Sequence, residues 1–280
     1  MTGPTRADDK PIVSIEIPVF QDLVYEVSDD VCTLTLNRPA RKNTLTANLV
    51  NELIIGLETA GKDPEVGAII LTGAEGVFCA GADLSSIQGS GGMNPNLPHR
   101  GGFVELNIAF TTIGKPVIAK VRRYAMAGGL GLMCACQFAF AENTAKFGTP
   151  EIDRGLFPMM IMANIFRLLP RRKGLELVLL GEKMGAEQAE TIGLINRAVP
   201  PEELDTFVDE FARKLAAKPF NAMRLGLNAF YQQSDQAFED GLRFLETQLA
   251  ECLQTPDAIE GITSFLEKRS PNWPPRETSN

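Results

Sequence analysis

Two glycine-rich turns and one glutamate carry the residues whose types and spacing could do chemistry. The run Arg123-Tyr124-Ala125-Met126-Ala127-Gly128-Gly129-Leu130-Gly131-Leu132 leaves a strand-like segment, Val117 to Val121, and opens an almost wholly apolar helix. Its glycines let the backbone turn sharply and leave N–H groups without side-chain cover. The first N–H groups of a helix lack internal partners and lie at the positive end of its dipole, so this turn can receive developing negative charge. That charge belongs either to a phosphate or to the oxygen of a polarised carbonyl. The phosphate patterns G-x-G-x-x-G and G-x-x-x-x-G-K-[ST] are both incomplete, because Leu132, Met133 and Cys134 follow Gly129-Leu130-Gly131. A glycine turn with a purely structural role is the plain alternative.

The second turn, Gly76-Val77-Phe78-Cys79-Ala80-Gly81-Ala82-Asp83-Leu84, also follows a strand-like run, Ala68 to Thr72. Exposed N–H groups from two separate turns can converge on one oxygen, which favours the carbonyl. The glutamate is Glu151, next to Pro150 and flanked by Phe147, Ile152, Leu156 and Phe157. Apolar walls of that kind raise a carboxylate's proton affinity toward working pH and suit it to proton transfer. The alternative role for Glu151 is a helix-capping carboxylate. Asp153, two residues on, should point away from it, and Glu142, after the apolar helix, reads as structural.

The 280-residue chain is long enough for a substantial core in one large domain or two small ones. A net charge of −8 argues against a nucleic-acid surface. The five cysteines are scattered and read as buried free thiols of a reducing, cytoplasmic compartment. With Cys134-x-Cys136 and a lone histidine, His99, no metal site is expected. A Ser-His-Asp triad would have to use His99, which sits in a Gly/Pro-rich loop and reads as solvated. Residues 1–22, with Pro4, Pro11 and Pro18 among charges, read as a mobile tail or docking strand and not a signal peptide. No run reaches 18 apolar residues, so no membrane span is expected.

Strands are predicted at Leu23 to Val27, Val31 to Leu36, Ala68 to Thr72, Val117 to Val121, Phe138 to Ala141 and Ile195 to Val199. Helices are predicted from Thr46 to Asp63, Phe103 to Ile113, Met159 to Leu169, Gly174 to Leu180 and Ala186 to Thr191. The stretch 85–102 reads by composition as a mobile loop, either a lid or a surface insertion. After Pro200 the pattern is helical: Glu202 to Ala216, Phe220 to Tyr231, Gln236 to Leu253 and Asp257 to Lys268. Strands alternating with helices imply an α/β core over residues 23–200, with a partly parallel sheet, and residues 201–280 form a helical subdomain.

The two turns with their flanks, the segment Phe147-Gly148-Thr149-Pro150-Glu151-Ile152 and the tail Phe265-Leu266-Glu267-Lys268-Arg269 resemble the crotonase family, the enoyl-CoA hydratase/isomerase superfamily, from about Leu23 to Trp273. The resemblance implies a spiral of β-β-α units followed by helices, and assembly as a homotrimer or a dimer of trimers. It implies an acyl-CoA substrate, with no cofactor beyond its coenzyme A moiety, and an oxyanion hole made by the N–H groups of Ala82 and Gly128. Such donors favour an enolate over the ground state. Glu151 matches one of two family glutamates; Gly131 stands where the other would be. Hydration asks for activation of water as well as protonation of carbon, whereas moving a double bond from Δ3 to Δ2 asks one base to carry a proton between two carbons. A single glutamate therefore favours enoyl-CoA isomerisation, with hydration and a non-catalytic acyl-CoA-binding role as alternatives. The resemblance also places Arg41, Lys42, Ala80, Asp83, Leu84, Phe265 and Lys268 at the substrate, with Arg269 as a further candidate for the CoA phosphates.

Overall fold

Short apolar runs broken by glycine, proline and aspartate become the strands of two sheets. The computed structural model describes residues 15–85 and 92–276. In chain order the elements are β1 (Leu23–Ser28), β2 (Val31–Leu36), α1 (Ala47–Lys62), β3 (Ala68–Gly73), α2 (Phe103–Thr112), β4 (Val117–Val121), β5 (Tyr124–Met126), α3 (Gly128–Ala135), β6 (Phe138–Glu142) and β7 (Lys146–Gly148). There follow α4 (Met162–Leu168), α5 (Arg171–Leu180), β8 (Met184–Gly185), α6 (Ala186–Thr191), β9 (Arg197–Val199), α7 (Leu204–Ala216), α8 (Phe220–Gln233), α9 (Phe238–Leu253) and α10 (Pro256–Glu267).

Six strands form one sheet in the order β1-β2-β3-β4-β6-β9, parallel except at the β1–β2 hairpin. Asp29 and Asp30 both take positive φ there, the conformation of the two-residue turn whose twist matches its strands. A second sheet of three strands has the order β5-β7-β8. Consecutive strands divide between the sheets: β4 enters the large one and β5 the small, then β6 the large and β7 the small, with helices after each pair. This is the β-β-α spiral. The Cys79–Ala125 bridge ties the Gly76–Leu84 turn to β5, so that β3, Cys79 and α2 form an earlier turn of the same spiral.

Each face of the large sheet is covered. Val31, Ala68, Ile70, Ile118 and Phe140 meet Leu204, Val208, Ala212 and Ala216 of α7, an i, i+4, i+8, i+12 stripe. The opposite face carries the larger core with α1, α2 and α3. Thr46 caps α1 as expected, its hydroxyl accepting from Leu49 N–H at 3.1 Å. At the other end of α1 the buried Lys115 amine donates to the carbonyls of Ala60 (2.7 Å) and Asp63 (2.5 Å). Among the described residues no helix is long and apolar enough to cross a membrane.

Several expectations are corrected. The small sheet went unread, because strands of two and three residues carry no periodicity. The last strand of the large sheet starts at Arg197 rather than Ile195: the Asn196 side chain takes over the pairing, accepting from Ala139 N–H at 2.8 Å. Helix α4 begins at Met162, not Met159, after a turn that follows Pro158.

The loop 85–102 differs most. Residues 86–91 lie outside the described residues, but the remainder is tied down to α1. Asn94 is buried, its N–H donating to Asn48 Oδ1 (2.7 Å) and its amide to Glu52 Oε1 (3.0 Å). Asn51 bonds the Pro98 carbonyl (3.0 Å) and Arg100 N–H (2.6 Å). Of the predicted N-terminal tail, residues 1–14 lie outside the described residues, and Gln21 and Asp22 donate their N–H groups to the fully buried Glu52. His99 is exposed and all five cysteines are free, although Cys252 is only half-buried.

Candidate active site

Leu45 organises the Gly76–Leu84 turn. Its N–H donates to the Gly81 carbonyl (2.8 Å) and its carbonyl accepts from Asp83 N–H (2.9 Å). Successive amides of extended chain point to opposite sides, so the N–H of Ala82, between these two, is turned away from Leu45. On that other side lies α3. Gly81 has φ +105°, and a Cβ on it would stand 2.8 Å from Ala127 Cβ and 3.1 Å from the Met126 carbonyl oxygen. Only glycine permits both the dihedral and the approach.

Ala127, the N-cap of α3, holds φ 49° and ψ −127°, a conformation that costs a non-glycine residue about 1–3 kcal/mol. Two bonds enforce it: Ala127 N–H to the Gly148 carbonyl (2.9 Å) and Gly131 N–H to the Ala127 carbonyl (3.1 Å). The result brings the Ala82 and Gly128 amides together, since a Cβ on Gly128 would lie 3.5 Å from Ala82 N. Neither N–H donates to a protein acceptor among the described residues. Both residues line one cavity, into which the positive end of the buried α3 opens.

Glu151 reaches the same cavity by way of the small sheet. Pairing of β7 with β5 sets Gly148 opposite Met126, which carries Thr149-Pro150-Glu151 alongside the start of α3. The buried Thr149 hydroxyl fixes that segment to α5 through the Leu177 carbonyl (2.8 Å). Glu151 precedes a 3-10 turn, Ile152–Arg154, yet its side chain makes no capping bond; the capping role considered from sequence is not observed. Its Oε2 is buried and has no partner among the described residues. Burial raises its pKa above the usual 4.5, opposed by its own backbone N–H and by Arg154. Arg154 donates to the Pro150 carbonyl (2.8 Å) and forms no ion pair with Glu151. An orphaned carboxylate oxygen at a cavity wall makes Glu151 a candidate functional residue.

The cavity measures about 600 Å³, within the range of ligand pockets. Ala80, Ala82, Leu84, Gly128 and Glu151 line it together. Its other walls, Leu45 to Val50 and Leu156 to Ile161, are nearly all apolar, and Glu151 is the one carboxylate among the lining residues. Asp153 is turned toward Gly181, and Glu142 bonds Arg123 N–H (2.8 Å) and faces Arg122, both as expected.

Other predicted contacts lie elsewhere. Arg41 and Lys42 are exposed and outside the lining, although the Lys42 carbonyl accepts from Ala80 N–H (3.1 Å) and so borders it. Asp83 is drawn from the cavity by Arg38 (3.2 Å) and Ser85 (2.6 Å). Phe265 is 81% exposed at the end of α10, reaching neither the core nor this cavity, and Lys268 is exposed beside it. Arg269 is held by Glu260 (2.5 and 2.9 Å) and Glu267 (2.6 Å) and has no free fork for a phosphate. Several lining residues escaped the sequence reading, Arg154 and Ile161 among them. Arg154 shares a turn with Glu151, and that proximity was a usable signal; Ile161 sits in an apolar run that gave none.

Against known proteins, the model of the family described as enoyl-CoA hydratase/isomerase matches residues 26–276. A probable enoyl-CoA hydratase of Rhizobium meliloti (strain 1021) is 35% identical over 252 residues, 89% of this chain and 96% of that protein. The probable mitochondrial enoyl-CoA hydratase of Dictyostelium discoideum is 33% identical over 86% of each chain. The crystal structure of a Mycobacterium smegmatis enoyl-CoA hydratase superposes with a TM-score of 0.82 at 31% identity, covering 90% of this chain and 99% of its own. With the match running through both amide turns and Glu151, the chain belongs to the enoyl-CoA hydratase/isomerase family of enzymes.

Proposed function

We propose that the protein moves the double bond of an acyl-CoA from Δ3 to Δ2 through an enolate. In this reading the thioester oxygen lies between the N–H groups of Ala82 and Gly128. Glu151 takes the proton from C2, the electron pair spreads onto the thioester oxygen and over C3 and C4, and the same carboxyl returns the proton at C4. The double bond then stands between C2 and C3. Two donors aimed at an oxygen that gains charge lower the barrier selectively. The observation that carries the reading is Glu151: one carboxylate among the lining residues, with an unpartnered buried oxygen, beside two free amides.

Hydration is the second reading, favoured by the names of the relatives, which are those of enoyl-CoA hydratases. Supplying a 3-enoyl-CoA and a 2-enoyl-CoA separately and following the absorbance of the conjugated thioester separates the two. A gain with the first and no loss with the second is the expected result; a loss with the second at a comparable rate overturns the isomerase reading.

Coenzyme A in this account enters past Leu84 and Ala80, with Arg41 and Lys42 as cations for its phosphates. Phe265 and Lys268 would serve a pocket only across a contact between copies. The exposed apolar stripe of α9, Phe238, Leu242, Leu245, Leu249 and Leu253, supports self-association. A homotrimer or a dimer of trimers is the assembly proposed.

A further inference from the structure

The place of the side chain that Gly131 lacks is taken by Ile161. A Cβ on Gly131 would stand 2.5 Å from Ile161 Cβ, nearer still to its Cγ2, and 3.4 Å from its Cα. Ile161 is 3% exposed yet lines the cavity, and Gly131 does not. The isoleucine therefore stands between Gly131 and the cavity.

A chain of amides holds it there. Asn164 N–H donates to the Ile161 carbonyl (3.1 Å), and the Asn164 side chain donates to Asn107 Oδ1 (2.6 Å) and the Gly131 carbonyl (3.4 Å). Asn107 in turn donates to the Phe103 carbonyl (2.7 Å). Helices α2, α3 and α4 thus meet at one pair of side-chain amides, which seats Ile161 on α3.

We infer that Ile161 is the specificity-determining residue of this pocket: it fills with hydrocarbon the space beside the first turn of α3 that an ordered water or a second proton carrier would need. A water requires room and two to four polar partners. The Asn164 amide hydrogens are already committed to Asn107 and to the Gly131 carbonyl, and Ile161 withholds the room. The inference rests on the reading of Glu151 as the base. Once the space is opened, Glu151 can take a proton from water as its oxygen bonds to C3 of a 2-enoyl thioester. The C2=C3 pair then moves to the thioester oxygen, and the carboxyl returns a proton to C2, giving a 3-hydroxyacyl-CoA.

The test compares wild type with Gly131→Ala, Ile161→Ala, Ile161→Val and the Gly131→Ala/Ile161→Ala double variant. Thermal melting and the 3-hydroxyacyl-CoA formed from a 2-enoyl-CoA are measured for each. Gly131→Ala is expected to melt below wild type and to cost much less when Ile161 is truncated, as touching residues do. The ratio of hydration to isomerisation should rise about tenfold or more in Ile161→Ala, and by less in Ile161→Val, with exchange of the C2 proton retained. The inference is overturned if Gly131→Ala costs the same in both backgrounds, or if neither Ile161 variant moves the ratio. Failure of the Glu151 reading shows separately, as C2 exchange that survives Glu151→Gln.

Discussion

Glu151 is asked to stay half-buried with one oxygen unpartnered, and that has consequences beyond catalysis. Its folded pKa is raised by burial, while in the unfolded chain it ionises near the usual 4.5. Between those values the folded protein holds the extra proton, so this group's contribution to stability falls as pH rises through that window. Above the folded value the whole penalty is present. Glu151→Gln should therefore melt above wild type at neutral pH, and the advantage should vanish below about pH 4 in thermal scans. Wild-type turnover should lose activity toward acid through an apparent pKa above 4.5; a limb at or below that value contradicts the assignment. Glu151, Ala82 and Gly128 were legible in the sequence because Pro150 precedes the first, Gly81 precedes the second and the third is itself a glycine at a helix start. Asp83 and Phe265 were not, since their placement depends on Arg38, 45 positions away, and on a helix end that no core residue covers.

The two amide turns depend on close packing of backbone, which gives a sharp test. Gly81→Ala puts a methyl group against Ala127 and forces φ +105° on a residue that resists it. Displacement of the Ala82 N–H should lower turnover by roughly 100- to 1,000-fold, the usual effect of losing one oxyanion donor. A Gly81→Ala enzyme within a few-fold of wild type would mean that Ala82 is not a donor. Lys115 marks a different kind of dependence, since its buried amine donates to the Ala60 carbonyl at the end of α1 and is a second donor, beside Val66 N–H, to that of Asp63. Lys115→Met should lower stability by about 1–3 kcal/mol in denaturant titrations while leaving C2 proton exchange unchanged. Loss of exchange in a folded Lys115→Met protein would tie this buried amine to the site. Periodicity announced the long helices, including Thr46 as the cap of α1. It was silent about α1's polar residues Asn48, Asn51 and Glu52, whose partners lie in a loop some 40 residues on.

At the scale of the molecule, alternating strand and helix patterns announced an α/β core, and the two turns with Glu151 announced the family. The division of strands between two sheets was beyond reach, because β5, β7 and β8 are too short to show a face. What remains exposed is as telling as what is buried: one side of α9 presents five large apolar residues to solvent, more than a lone copy ordinarily leaves uncovered. Light scattering should give a mass that is a multiple of 30.5 kDa, and Leu249→Asp should reduce it; a monomer at all concentrations contradicts the proposed assembly. The most direct measurement for the whole account is deuterium uptake at C2 of a saturated acyl-CoA in heavy water, read by mass spectrometry. The account predicts uptake with wild type and a fall of about 100-fold or more in Glu151→Gln. Equal uptake in the two proteins, or none in wild type, contradicts it.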